Sequence, residues 1–139
     1  MNRRTGKIKY GKPAKGFRSK FEAQLADWLE QHNLLYEYEP CHLKYTVPSV
    51  ERKYTPDWRV NNTFIETKGL FKYEDMRKML LLKEQYPDTP FLIIFQNAKT
   101  KIRKGSPTTY GMWAEKNGFK WTDWKSLTKE FFANEHTSS

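Results

Sequence analysis

The stretch Tyr54-Thr-Pro-Asp-Trp-Arg-Val-Asn-Asn-Thr-Phe-Ile-Glu-Thr-Lys-Gly69 constrains the fold more than any other. Two short runs of alternating apolar residues flank Asn61-Asn62, and asparagine tolerates the left-handed backbone that a tight hairpin turn needs. The pattern predicts antiparallel strands over residues 54–60 and 63–68. With Asn61 and Asn62 as the loop, Val60 faces Thr63, Arg59 faces Phe64, Trp58 faces Ile65 and Asp57 faces Glu66. Side chains alternate with period two, so Lys68 shares a face with Glu66. Two carboxylates and an ammonium group are therefore expected side by side.

As plain scaffold that cluster is costly. Like charges opposite one another in a sheet are destabilising, and two unit charges ~4 Å apart repel by about 4 kcal/mol at an effective dielectric of about 20. A divalent cation between them reverses the sign. Mg²⁺ takes oxygen ligands, usually one or two carboxylates plus waters and substrate phosphates. It polarises a phosphoryl oxygen and lowers the pKa of a bound water, while Lys68 can stabilise developing charge or orient the attacking water. Pro56-Asp57, eight intervening residues, then Glu66-Thr67-Lys68 resemble the PD-(D/E)xK nuclease signature. The alternative is a surface hairpin that carries two acids and a lysine with no further role.

Composition supports a polyanionic partner. Lys and Arg outnumber Asp and Glu by 25 to 16, a net charge of +9. An anionic membrane is the competing partner, but the chain carries no basic amphipathic helix or lipidation motif and no apolar run of transmembrane length. At 139 residues a single domain with a real core is expected, and 16% aromatic residues supply much of it. Cys41 is the only cysteine, which removes intrachain disulfides and, with His32, His42 and His136 at no ligand spacing, a zinc centre. No P-loop, dinucleotide-binding glycine pattern or nucleophile elbow is present, so no small-molecule cofactor is expected. Metal-dependent acid chemistry is the remaining enzyme class, and a cytoplasmic location is the default.

Residues 1–16 hold Arg3, Arg4, Lys7, Lys9, Lys12 and Lys15 with no acid, and are expected to be a flexible basic arm. Either phosphate binding or solubility accounts for it; each neutralised phosphate steepens the salt dependence by about 0.9 log units. A helix is predicted from Ser19, with Glu22 three residues on completing a capping box, ending near Asn33 with Phe21, Leu25, Trp28 and Leu29 as its apolar face. Strands follow over 34–39 and 43–47, with Pro48-Ser49 a turn or connector. A second helix runs from Glu74-Asp75, taken as ordinary first-turn acids, to Tyr86, burying Met76, Met79, Leu80 and the stem of Lys83. Phe91–Phe95 reads as a strand covered on both faces. The basic run Lys99, Lys101, Arg103, Lys104 follows it, either a solvated loop or a phosphate contact, with Arg18 a further cation near the first helix. Thr108 or Thr109 caps a third helix ending at Asn117-Gly118, and Trp113, Phe119, Trp121 and Trp124 read as core. A tail from Thr128 adds a short helix around Phe131-Phe132.

FRSKFE (17–22), YEYE (36–39), YTPD (54–57), ETKGL (66–70), KEQYPD (83–88) and KGSPTTYG (104–111), in that order, closely resemble the endonuclease I family of T-seven-like bacteriophages, which resolves Holliday junctions. The resemblance covers roughly residues 17–121. It implies an α/β, restriction-endonuclease-like fold, a mixed central sheet flanked by helices, and a Mg²⁺-dependent nuclease (Mn²⁺ able to substitute) acting on four-way and branched DNA in the host cytoplasm. It matches Asp57 and Glu66 to the metal-binding carboxylates, Lys68 to the catalytic lysine, the Thr67 backbone carbonyl to a metal ligand, and Glu22 to a fourth active-site residue. It further implies a domain-swapped homodimer whose bridge lies near 47–53, within a nuclease domain of 17–127 followed by a tail of 128–139. The end KEFFANEHTSS departs from the basic tail of that family. A sequence-specific or end-acting nuclease, and a catalytically silent DNA-binding protein, are the competing expectations.

Overall fold

The computed structural model describes residues 10–47 and 50–133. In chain order the elements are α1 (Lys20–Gln31), β1 (Glu37–Tyr38), β2 (Leu43–Val47), β3 (Val50–Tyr54), β4 (Trp58–Val60), β5 (Thr63–Lys68), α2 (Tyr73–Gln85), β6 (Phe91–Phe95), α3 (Tyr110–Lys116) and β7 (Lys120–Asp123), then single 3-10 turns at Trp124–Ser126 and Lys129–Phe132. Five strands form a mixed sheet in the order β1-β4-β5-β6-β7, and β2 pairs with β3 in a separate two-stranded sheet. β4 runs antiparallel to β1 and β5, whereas β5, β6 and β7 are parallel. Parallel neighbours require crossovers, and α2 and α3 supply them.

The period-two alternation of β5 and β6 sorts the core into two layers. Phe64, Ile93 and Phe95 pack with Met76, Met79 and Leu82 of α2, Tyr110 and Ala114 of α3, and Tyr45 and Tyr54 of the small sheet. Ile65, Leu92 and Ile94 pack with Phe21, Leu25, Ala26 and Leu29 of α1. FLIIF is thus a strand buried on both faces, all five residues of it. Burying one such side chain contributes roughly 1.5–3 kcal/mol.

Local signals set the boundaries. The Ser19 side chain accepts the Glu22 N–H at 3.1 Å to open α1, and Thr109 accepts that of Met112 to open α3. Asn61 at φ 54° makes the β4–β5 turn, and the pairs Val60–Thr63, Arg59–Phe64 and Trp58–Ile65 form as expected. Gly118 at φ 78° follows the C-cap of α3.

Several expectations are corrected. The strand foreseen over 54–60 is broken: Tyr54 ends β3 on the small sheet, residues 55–57 bend, and pairing resumes at Trp58. Pro56 has no N–H to donate to a ladder, which explains the break. The strand foreseen over 34–39 shortens to two residues, with Glu39 at φ 48°. On α2, Leu82 is buried and Leu80 is 40% exposed, because the helix turns its face toward the small sheet, where Gln85 and Tyr86 bond the backbone of Thr46 and Lys44. The Lys83 stem does pack, its ammonium 5.4 Å from the Phe119 ring centre. The second half of the basic arm is tied down: Tyr10 packs on Tyr36 and Gly11 donates to the Tyr36 carbonyl. Arg3, Arg4, Lys7 and Lys9, and the tail beyond 133, lie outside the described residues. So does Pro48-Ser49, within the bridge foreseen near 47–53; Val47 pairs with Val50 in the same chain.

α3 lies close to β7 because Gly111 has no side chain: a Cβ there would sit 2.6 Å from the Trp121 ring. That ring is held by its own Nε1–H bond to Glu115. Gly111→Ala should gain helix propensity yet destabilise the protein by about 1–2 kcal/mol net, visible as a fall of several degrees in Tm.

Candidate active site

Charged side chains converge at the C-terminal end of β5. Ladder pairing stops at Trp58–Ile65, so Asp57 does not sit in register opposite Glu66. Instead its Oδ2 accepts both the backbone N–H and the hydroxyl of Thr67, each at 2.9 Å. This reach past the last pair sets Asp57 close enough to Glu66 for the Glu66 charge to act on it. Glu66 is only 5% exposed. Its Oε1 accepts the Tyr54 hydroxyl at 2.5 Å, and its Oε2 lies 3.2 Å from Lys68 Nζ.

Lys68 is gripped from both sides, its Nζ also 3.2 Å from Asp75 Oδ1. Asp75 stands at the third position of α2 and its other oxygen accepts the Lys72 N–H. The sequence reading of Asp75 as an ordinary first-turn acid is therefore incomplete: it caps the helix and pairs with the site lysine. Its place five residues after Gly69-Leu70 was the available signal, since a crossover helix starts beside the end of the strand it follows.

Glu22 enters from α1, 8% exposed. Its Oε1 accepts the Tyr38 hydroxyl at 2.6 Å and the Arg18 N–H at 3.0 Å. The capping box foreseen at Ser19 thus closes one residue early, on Arg18, and Glu22 also adds its charge to the site.

Electrostatics report the crowding. Burial first, then the Glu66 charge and, more weakly, Glu22, push Asp57 up to about 7 against the two Thr67 hydrogen bonds that favour its ionised form. Burial alone would lower the Lys68 pKa, but Glu66 and Asp75 outweigh it and raise it. Lys68 is a held cation. The Tyr54 hydroxyl is pushed well above the ordinary tyrosine range by burial and by Glu66.

The donors gathered here are oxygens, the chemistry of a hard cation. Among the described residues no three His, Cys, Asp or Glu side chains form a cage of their own. Mg²⁺ asks for less, one or two carboxylates with water and phosphate completing the shell. Asp57 and Glu66 fit that demand.

The foreseen cations are distributed differently. Lys12 pairs with Glu30 at 3.3 Å and Arg18 with Glu39 at 2.7 Å, while Lys15 is exposed. Lys99, Lys101, Arg103 and Lys104 are exposed on a loop closed by pairing of Lys101 with Thr109. Lys99 also lines a groove of about 910 Å³ beyond the ends of β6 and β7, with Lys116, Trp121 and Lys125. None of Glu22, Asp57, Glu66, Lys68 or Asp75 lines that groove. Among the described residues no helix is long and apolar enough to cross a membrane.

The raised Asp57 pKa carries a stability consequence. A carboxyl harder to ionise in the folded than in the unfolded chain costs nothing below pH ~4, costs progressively more up to pH ~7, and a constant amount above. In buffer free of divalent ions, Asp57→Asn should therefore be more stable than the parent by roughly 2–4 kcal/mol at pH 8, a difference that shrinks toward zero as pH is lowered to ~4. Thermal melts across that range check the sign.

With this geometry in place, sequence comparison finds relatives. A profile of the family described as phage endonuclease I matches residues 4–138. Endonuclease I of Escherichia phage T7 is 42% identical over 108 residues, 77% of this chain and 72% of that protein. Endodeoxyribonuclease 1 of Enterobacteria phage T3 is 39% identical over 110 residues, 78% of this chain and 72% of that protein. The paired acids, the held lysine and the match along almost the whole chain lead to one assignment: the chain belongs to the phage endonuclease I family.

Proposed function

We propose that this protein is a Mg²⁺-dependent, structure-selective endodeoxyribonuclease that resolves four-way and other branched DNA by phosphodiester hydrolysis, with Mn²⁺ able to replace Mg²⁺. One observation carries the reading: Asp57 and Glu66 are held together at the end of β5 with Lys68 beside them, in a chain of net charge +9. The names of the T7 and T3 relatives support endonuclease action on DNA. The mixed sheet with helices on both faces and acids at one strand end suits a restriction-endonuclease-like fold.

Asp57 and Glu66, with the Thr67 backbone carbonyl, would hold the cation, which when bound polarises the scissile phosphate and lowers the pKa of a water. Glu66 and Asp75 raise the Lys68 pKa, and in this reading Lys68 serves as a positive charge beside the phosphate and the attacking water. Asp75 keeps its ammonium group from swinging onto Glu66 alone. Glu22 completes the acid set from the α1 side. Lys15, Lys99, Lys101, Arg103 and Lys104 offer exposed charge to the flanking phosphates.

Asp57→Asn or Glu66→Gln should bind a labelled four-way junction in EDTA about as tightly as the parent, yet nick it in Mg²⁺ slower by about 10²–10³-fold. A linear duplex of the same sequence should be cut poorly by the parent. Wild-type nicking by either variant would remove the assignment. Equal cutting of both substrates would point to a sequence-specific enzyme.

We further infer a homodimer with exchanged N-terminal portions. Glu22 and Tyr38 precede residues 48–53, and Tyr54, Asp57, Glu66 and Lys68 follow them, so an exchange there would divide each site between two chains. Paired sites related by a two-fold axis suit paired nicks on opposed strands. Co-refolding the inactive Glu22→Gln and Asp57→Asn chains should then restore about a quarter of parental nicking, one sound site per mixed dimer. Each site closed within its own chain would restore none.

A further inference from the structure

Two of the acids in this site are each held through one oxygen by a tyrosine hydroxyl, and neither hydroxyl has a part in the chemistry above. Tyr54 ends β3, and its ring is 2% exposed against Phe91, with the Lys78 ammonium 5.5 Å from the ring centre. Its hydroxyl donates to Glu66 Oε1. Tyr38, on β1, is boxed by Phe17 and Trp58 with ring centres 5.0 Å away, and its hydroxyl donates to Glu22 Oε1. The Arg18 N–H falls on that same Oε1, which leaves Glu22 Oε2 without a hydrogen-bond partner among the described residues.

We propose that Tyr54 and Tyr38 are positioning residues of the nuclease site: each occupies one oxygen of its carboxylate and fixes the rotation of that group, and so sets where the second oxygen lies, Glu66 Oε2 on the Lys68 side, 3.2 Å from Nζ, and Glu22 Oε2 open toward the reacting phosphate and its cation. The proposal rests on the assignment of Asp57, Glu66 and Lys68 made above. Its physical basis is the freedom of a glutamate. The terminal torsion of Glu is broad, so an acid at the end of a flexible stem is aimed only by its donors; the Lys68 ammonium that meets Glu66 stands on a flexible stem of its own and is a looser guide than a phenol. Phenol rings are rigid, and these are locked by aromatic packing, so each hydroxyl has one place to be. Each pair also lies wholly before or wholly after residues 48–53, so the aim is kept whether or not chains exchange there.

The competing account is that each acid is merely the acceptor a buried hydroxyl requires. Tyr54→Phe separates the two, because it removes one oxygen and keeps the ring. Partners of this kind, acting on metal-binding side chains, are typically worth 10–100-fold. The expected result is a kcat for junction nicking lower by about 10–100-fold, a KM within about twofold, and Mn²⁺ affinity of the DNA-free protein, read by electron paramagnetic resonance titration, weaker by about tenfold. Tyr38→Phe should likewise lower kcat and spare KM. Junction affinity in EDTA should stay parental in both.

Parental kcat and Mn²⁺ affinity in Tyr54→Phe would overturn the proposal. So would loss of junction binding in EDTA alongside activity, since the hydroxyl would then be holding the fold. Asp57→Asn, run beside them, separates the two levels. If it is dead while Tyr54→Phe is fully active, only the positioning role fails; if it still cleaves, the site assignment fails and the positioning role with it.

Discussion

Crowded negative charge at the end of β5 is the constraint to which the rest of the molecule answers. Asp57 rises to about 7 because it is buried beside Glu66 and within the field of Glu22. Left alone, such a group of acids would splay apart or take up protons. Here Thr67 offers two donors to Asp57, Lys68 bridges Glu66 and Asp75, and the tyrosines hold Glu66 and Glu22. These contacts orient the charges but do not cancel their mutual repulsion. The free energy that keeps them together comes from the two apolar layers on either side of the sheet.

Those layers also explain why three distant stretches of chain meet. β5 is central, paired on one edge with the antiparallel β4 and on the other with the parallel β6. The antiparallel edge delivers Asp57 by a tight turn. The parallel edge demands a helical crossover, and the first turn of that helix delivers Asp75 beside Lys68. α1, laid on the opposite layer by Phe21, Leu25 and Leu29, brings Glu22. A site assembled this way sits at the seam between an antiparallel and a parallel half of one sheet, where strand ends and helix starts are closest.

Much of this was legible in the residues. Asn61-Asn62 between alternating apolar runs gave the hairpin and the register of its three pairs from Val60–Thr63 to Trp58–Ile65, FLIIF gave the doubly covered strand, and Ser19 and the Thr108-Thr109 pair gave helix starts, because each is a local signal read over a few residues. Pairing at a distance was less so. Tyr54 reads as continuous with Trp58 in the residue pattern, yet it belongs to a hairpin with β2, because Pro56 has no N–H to carry the ladder on. Asp75 looked like a helix-dipole residue because the lysine it meets lies across a loop. Tyr38 and Tyr54 carry no sequence signal beyond their places in strand-like runs; only coordinates reveal that each hydroxyl ends on an acid. Leu80 and Leu82 exchanged places because a periodic stripe leaves the rotation of a helix against its neighbours open by some tens of degrees.

The β4–β5 turn has a consequence for how such a chain can vary. Surface loops ordinarily absorb insertions and deletions with little harm. This one cannot. β5 is fastened along its other edge to β6, so a residue added between Val60 and Thr63 must be taken up by β4. A slip of one position draws Asp57 back by about 3.3 Å and turns it to the opposite side of the sheet, away from the Thr67 donors. The length of an exposed turn is thereby bound to the chemistry of a buried acid, and drift in this lineage is expected to change the letters of that turn while leaving its number of residues alone.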